Sequence, residues 1–119
     1  MKLRALRGAT TVERNEAEAI LSATTELVTA VMERNGLSPG DVVSCIFTCT
    51  DDLNAEFPAV AARRMGLSAV PLLCAREIDV PGSLPRVIRV MVHCYADGPA
   101  RHVYLREAVS LRRDLEGAQ

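Results

Sequence analysis

The segment Val87-Ile88-Arg89-Val90-Met91-Val92-His93-Cys94-Tyr95 constrains this chain more than any other. A run so rich in β-branched side chains, closed by Ala96-Asp97-Gly98-Pro99, reads as a strand with apolar cover on at least one face. One residue breaks it. Arg89 puts a guanidinium inside a strand, where the charge must find a partner or water. By alternation Arg89 shares its face with Val87, Met91 and His93, while Ile88 and Val90 take the other. The pattern leaves two readings open. Arg89 is an edge-strand or ion-pair arginine, with Glu77 as an obvious partner, or it points into a semi-enclosed site.

The rest of the chain supplies what such a strand needs around it. Lys2 to Val12 alternates as a strand and runs into Gly8-Ala9-Thr10-Thr11. Asn15 with Glu18 forms a helix-start signature, and Ile20, Leu21, Thr24, Leu27, Val28, Val31 and Met32 recur at helical spacing. That predicts a helix from about Glu16 to Asn35, stopped by Gly36. After Ser38-Pro39-Gly40, Val42 to Thr48 is a second β-branched run and a central-strand candidate. Asp51, Asp52 and Asn54 offer caps for a second helix over about Ala55 to Met65, with Pro58 in its first turn and Gly66 past its end. A short strand near Val70 to Cys74 precedes the loop Asp79 to Ser83. The C-terminal part contains an extended stretch near His102 to Leu105, a helical turn at Glu107 to Leu111, and a flexible tail over about 115–119. One domain over 1–119 is expected, of the α/β (α+β) class: a mixed β-sheet with two covering helices. So small a sheet keeps an apolar face or edge that a second copy would cover, which implies a homo-oligomer.

A net charge of −1, two Phe and two Tyr argue against nucleic acid as a partner. No apolar run approaches the roughly 20 residues of a membrane span, so no membrane association is expected and the cytoplasm is the default compartment. The cations are lopsided, one Lys against thirteen Arg, and the arginine fork suits carboxylates, a weak pointer to an anionic ligand. Cys45 and Cys49 fall on one face of a strand without the turn that zinc knuckles use. With Cys74 and Cys94 they read as free thiols, and no metal site is expected. Glu77 with Asp79 at a loop mouth could do acid-base work, although an ordinary strand end explains them as well. Arg7, Arg63 and Arg64, taken singly, are ordinary surface charges. His93 and His102 join no Ser or Cys motif, and there is no phosphate loop, so hydrolysis, phosphoryl transfer and metal chemistry lose ground. What remains is arginines, a carboxylate, a thiol and apolar walls, a set suited to a small polyanion.

Several separated motifs then agree with one family. Leu6-Arg7-Gly8-Ala9-Thr10-Thr11-Val12-Glu13 resembles the opening signature of the AroH-type chorismate mutases. Asp52 to Ala59, Val70-Pro71 through Cys74 and Glu77 to Val80, Ile88 to Met91, and Arg101 to Leu105 with Leu111-Arg112 follow in the family's order and spacing. The resemblance covers nearly the whole chain. It implies a homotrimeric pseudo-α/β barrel with active sites in clefts between neighbouring subunits. It also implies an isomerase that rearranges chorismate, a small dianion, to prephenate in phenylalanine and tyrosine biosynthesis, with no cofactor. Carried onto this sequence, Arg7 grips a substrate carboxylate, and Arg89 contacts the other carboxylate region and the ether oxygen. Glu77 and Cys74 meet the ring hydroxyl, and Tyr104 adds a hydrogen bond near the pyruvyl carboxylate. Phe57 and Leu111 are apolar wall; Arg63 and Arg112 are cations at the cleft mouth.

The resemblance also makes sense of the missing nucleophile and base, because a Claisen rearrangement moves six atoms in concert and transfers no proton. Val60 and Leu73 depart from the pattern: members of the family can carry a cation at the first and a polar residue at the second. Both bear on substrate capture and neither on the reaction type. Two rivals remain at this stage, a RidA-type imine deaminase, whose diagnostic motifs are missing, and a non-catalytic binding module of the same fold.

Overall fold

In the computed structural model, residues 1–112 are described, so the expected tail lies outside the described residues. Five strands form one sheet: β1 (Lys2–Thr11), β2 (Val42–Cys49), β3 (Leu72–Arg76), β4 (Val87–Ala96) and β5 (Val103–Tyr104). Their order across the sheet is β3-β2-β4-β1-β5. β4 sits at the centre, antiparallel to β1 and β2, as its long apolar run requires; β3 and β5 extend the sheet in parallel with β2 and β1. The mixed sheet expected from the sequence is therefore present, with the strands in the expected chain order.

Two helices, α1 (Ala17–Arg34) and α2 (Pro58–Ala62), pack on one face. α1 buries Ile20, Ala23, Thr24, Leu27, Val28 and Val31, the stripe its 3.6-residue period dictates. These meet the inward side chains of β1, β2 and β4, among them Leu6, Phe47, Val90 and Val92, in one continuous core. Gly8 makes the approach of α1 to β1 feasible, since a Cβ there would lie 3.1 Å from methyl groups of Leu27, Val31 and Val90. The molecule is 20 Å through its thinnest axis, the depth of a sheet plus a single helical layer. The opposite sheet face has no cover within the described residues.

The first helix runs within a residue of its expected span, but loop chemistry displaced its expected cap and moved the start of the second. α1 begins at Ala17, and Glu16 stands at its N-cap without a side-chain cap bond. Asn15 does not cap it, because its Oδ1 accepts the N–H groups of Asn54 and Ala55, both at 3.0 Å. That ties the loop before α1 to the loop before α2. The second helix starts at Pro58, later than Ala55, since Asn54 is held by Asn15 and the Asp52 carboxylate takes the Arg86 N–H. Pro58 occupies the first helical position, where its missing N–H costs nothing. After Ala62 the helix widens into a π turn over Arg63–Leu67, in which Gly66 adopts φ 97°, a conformation open to glycine. At the entry to β4, Arg86 is held at φ 50° by three bonds: N–H to Asp52, C=O from Val12 N–H, and Nε to the Val12 C=O. This brace fixes the start of the strand that carries Arg89.

Candidate active site

Register places the chemistry on the bare face of the sheet. Arg89 stands opposite Ala9 on one side and Thr48 on the other, and Tyr104 and Ala75 continue the same row on β5 and β3. The adjacent row contains Arg7, Met91, Ile46 and Leu73. Arg7 and Arg89 are thus diagonal neighbours on one surface, and the alternation predicted for Arg89, Met91 and His93 holds.

Glu77, just beyond β3, reaches over this surface after its N–H bonds the Cys49 carbonyl at 2.9 Å. Its Oε2 accepts from Arg89 Nε at 2.9 Å and from the Thr48 hydroxyl at 2.8 Å. The Glu77 side chain keeps only 15% of its exposure and that of Arg89 keeps 44%, so the pair is partly desolvated. Anchoring through Nε fixes the guanidinium plane and leaves its terminal nitrogens beyond the ion pair. The structural partner that the sequence offered for Arg89 is real, and it also aims the arginine. Arg7, Ala9, Thr48, Arg89, Met91 and Tyr104 line a concavity of about 220 Å³.

Phe57 and Cys74 belong elsewhere on the protomer. They line a second concavity of about 380 Å³, together with Cys49, Asp51, Leu53 and Arg76. Phe57 is 66% exposed there, an arrangement that invites cover. The Cys49 thiol is pushed up to about 12, first by burial and then by neighbouring Cys74, Glu77 and Asp52. Burial, with Cys94 nearby, raises Cys45 to about 11. Both remain protonated at neutral pH and make poor nucleophiles or ligands. All four cysteines are free thiols, as expected.

Arg63 is exposed on the turn after α2, Leu111 is half-buried and Arg112 exposed at the end of the described residues; none of the three lines either concavity. Val60 is half-buried, and Leu73 lies exposed on the bare sheet face.

Sequence reasoning passed over Thr48, whose place in the β2 alternation with Ser44 and Ile46 was the available signal. It also missed a contact between His93 Nδ1 and the Ser44 hydroxyl, 3.3 Å apart, further along the same face. Neither residue lines the Arg7–Arg89 concavity.

Comparison with known proteins shows the family. The family model for chorismate mutase type I matches residues 3–115. Chorismate mutase AroH of Thermus thermophilus is 55% identical over 121 residues, covering 98% of this chain and 99% of the relative. The Bacillus subtilis (strain 168) protein of the same name is 46% identical over 119 residues, covering 97% and 94%. Among solved structures, the chorismate mutase from Clostridium thermocellum superposes with a TM-score of 0.88 at 49% identity, covering 90% of this chain and 98% of that one.

Proposed function

The chain belongs to the type I chorismate mutase family, and from that membership we propose how it converts chorismate to prephenate. Chorismate is a flexible dianion whose enolpyruvyl arm must fold over its ring before reaction. In the rearrangement the ether C–O bond breaks as a new C–C bond forms, and no proton is exchanged. Pinning both carboxylates selects the reactive conformer. A fixed cation beside the ether oxygen stabilises the negative charge that grows there, so it binds the transition state better than the substrate.

The observation that carries this assignment is Arg89: a guanidinium in an apolar sheet face, held through Nε by Glu77, whose carboxylate Thr48 anchors in turn, and set diagonally from Arg7. Arg89 serves the ether oxygen and a carboxylate, Arg7 the other carboxylate, and Tyr104 a hydrogen bond near the pyruvyl group. Glu77 and Cys74 take the ring hydroxyl. Phe57 and Leu111 form apolar wall, and Arg63 and Arg112 attract the dianion at the mouth.

We also propose a homotrimer with one active site at each subunit boundary. The concavity of about 220 Å³ is smaller than the roughly 300 to 1,000 Å³ of ordinary ligand sites, so a second wall is needed. A neighbour's Phe57 and Cys74 would supply it. The bare sheet face, with Ile46 and Leu73 exposed by 38% and 61%, supports the same assembly. One domain spanning 1–119 and a cytoplasmic location complete the proposal, the latter supported by the free cysteines. No helix of the described residues is long and apolar enough to cross a membrane.

The deciding assay follows loss of chorismate's diene absorbance with chelator present, prephenate being confirmed by acid conversion to phenylpyruvate. Chelator-resistant loss is expected; a folded protein without turnover would overturn the assignment.

A further inference from the structure

We propose that His102 is a positioning residue for the reaction: as a hydrogen-bond acceptor it pins the main chain of Arg7 to β5, so that Arg7 and Tyr104 present one rigid edge to the substrate. The inference rests on the assignment of those two residues to substrate binding. His102 lies one residue before β5, in the register that sets it beside Arg7. Arg7 and Ala9 turn their main-chain polar groups towards β5, and the Ala9 carbonyl accepts the Leu105 N–H at 2.9 Å. Next to it, His102 Nδ1 accepts the Arg7 N–H at 3.0 Å. A side chain therefore extends the β1–β5 pairing to the residue whose guanidinium faces the site.

The acceptor is itself anchored. Asn35, at the C-cap of α1, takes the Arg101 N–H on Oδ1 at 2.8 Å. Its Nδ2 donates to the carbonyls of Arg101 and Val31, both at 2.9 Å. The chain of contacts runs from the end of α1 through Asn35 and Arg101 to His102, and from there to Arg7. An exposed imidazole held at both ends of its segment has a fixed place but little part in the core.

Accepting at Nδ1 requires the neutral ring, with its proton on Nε2. Partial desolvation against the protein surface, and then the positive charge of Arg7 on β1, hold His102 below the usual histidine value of 6.5. Asn35, facing the segment from α1, is uncharged, and Arg101 beside it is an exposed cation. The bond is present above pH 6.5 and is lost as pH falls through the lowered value, when the imidazolium can no longer accept.

His102→Asn keeps an acceptor, Oδ1, where Nδ1 stands, and cannot titrate; His102→Ala removes the acceptor. For His102→Ala we expect about a tenfold lower kcat/KM at pH 7.5, the scale of a modest misplacement of a binding group. Its melting temperature should be nearly unchanged. His102→Asn should stay within about threefold of the parent and lose the acid limb that the parent shows below pH 6.5. Hydrogen exchange at the Arg7 amide, read without substrate, should be slow in the parent and His102→Asn and fast in His102→Ala. Equal exchange in all three proteins overturns the inference, as does an Asn variant no better than Ala. A parent that protects this amide but leaves chorismate untouched overturns the assigned reaction and leaves the pinning contact standing.

Discussion

Arg89 combines two demands that usually conflict, a charge inside an apolar strand and a charge held still. Glu77 resolves them by accepting from Nε, and the Thr48 hydroxyl, donating to the same Oε2, holds the carboxylate in place. A millionfold acceleration corresponds to roughly 8 kcal/mol, of which a cation aimed at the breaking bond can supply about half. Arg89→Lys should therefore cost about a hundredfold or more in kcat, because a single ammonium nitrogen cannot hold Glu77 and also present a separate planar pair of donors to the substrate. Arg89→Ala should cost more again. Steady-state kinetics checks both; near-normal turnover in Arg89→Lys would contradict the role. Thr48→Val removes one of the two bonds to Glu77 Oε2, and a bond to a charged acceptor contributes about 1.5 to 3 kcal/mol. We expect about a tenfold lower kcat/KM, with most of it recovered in Thr48→Ser, which restores the hydroxyl.

At the scale of elements, the site depends on how closely α1 lies against β1. Gly8 follows Arg7 directly, and three methyl groups from α1 and β4 crowd the space a Cβ would take. All three belong to buried residues with little room to yield. Gly8→Ala should destabilise the fold by about 1 to 3 kcal/mol through overpacking, seen as a lower urea midpoint at unchanged slope. The loop braces have the same logic. Asn15 and Asp52 read as helix caps in the sequence, but long-range partners claim both, and each ties loops that neighbour the site. Periodicity disclosed the helix and the strands; it had no means of ranking a local cap against a partner 39 residues away.

For the whole molecule, the described residues place a single helical layer on one sheet face and set Arg7 and Arg89 on the other. We expect a solution mass near three times the 12.9 kDa of the chain by sedimentation velocity. Leu73→Glu places a charge on that face at an exposed position that barely enters the protomer core. It should shift the protein towards monomer and abolish turnover with the far-UV spectrum retained. A fully active Leu73→Glu trimer would show that this face is not the interface.

Local patterns, set by side-chain alternation or helical repeat, carried the order of elements, the long apolar strand, the period of α1 and the isolation of Arg89 among apolar neighbours, whereas the strand expected at the centre, Val42 to Thr48, lies beside β4, which takes the middle. The separated motifs added the family, since a few positions spread along the chain must be kept together for one site. Tertiary structure alone decided that Thr48 steers Glu77, that His102 meets Arg7, and that Phe57 and Cys74 line a different concavity from Arg7 and Arg89. These facts depend on register and on which strands pair. Residues far apart in the chain become neighbours only when the sheet order is set, and no local pattern contains that order.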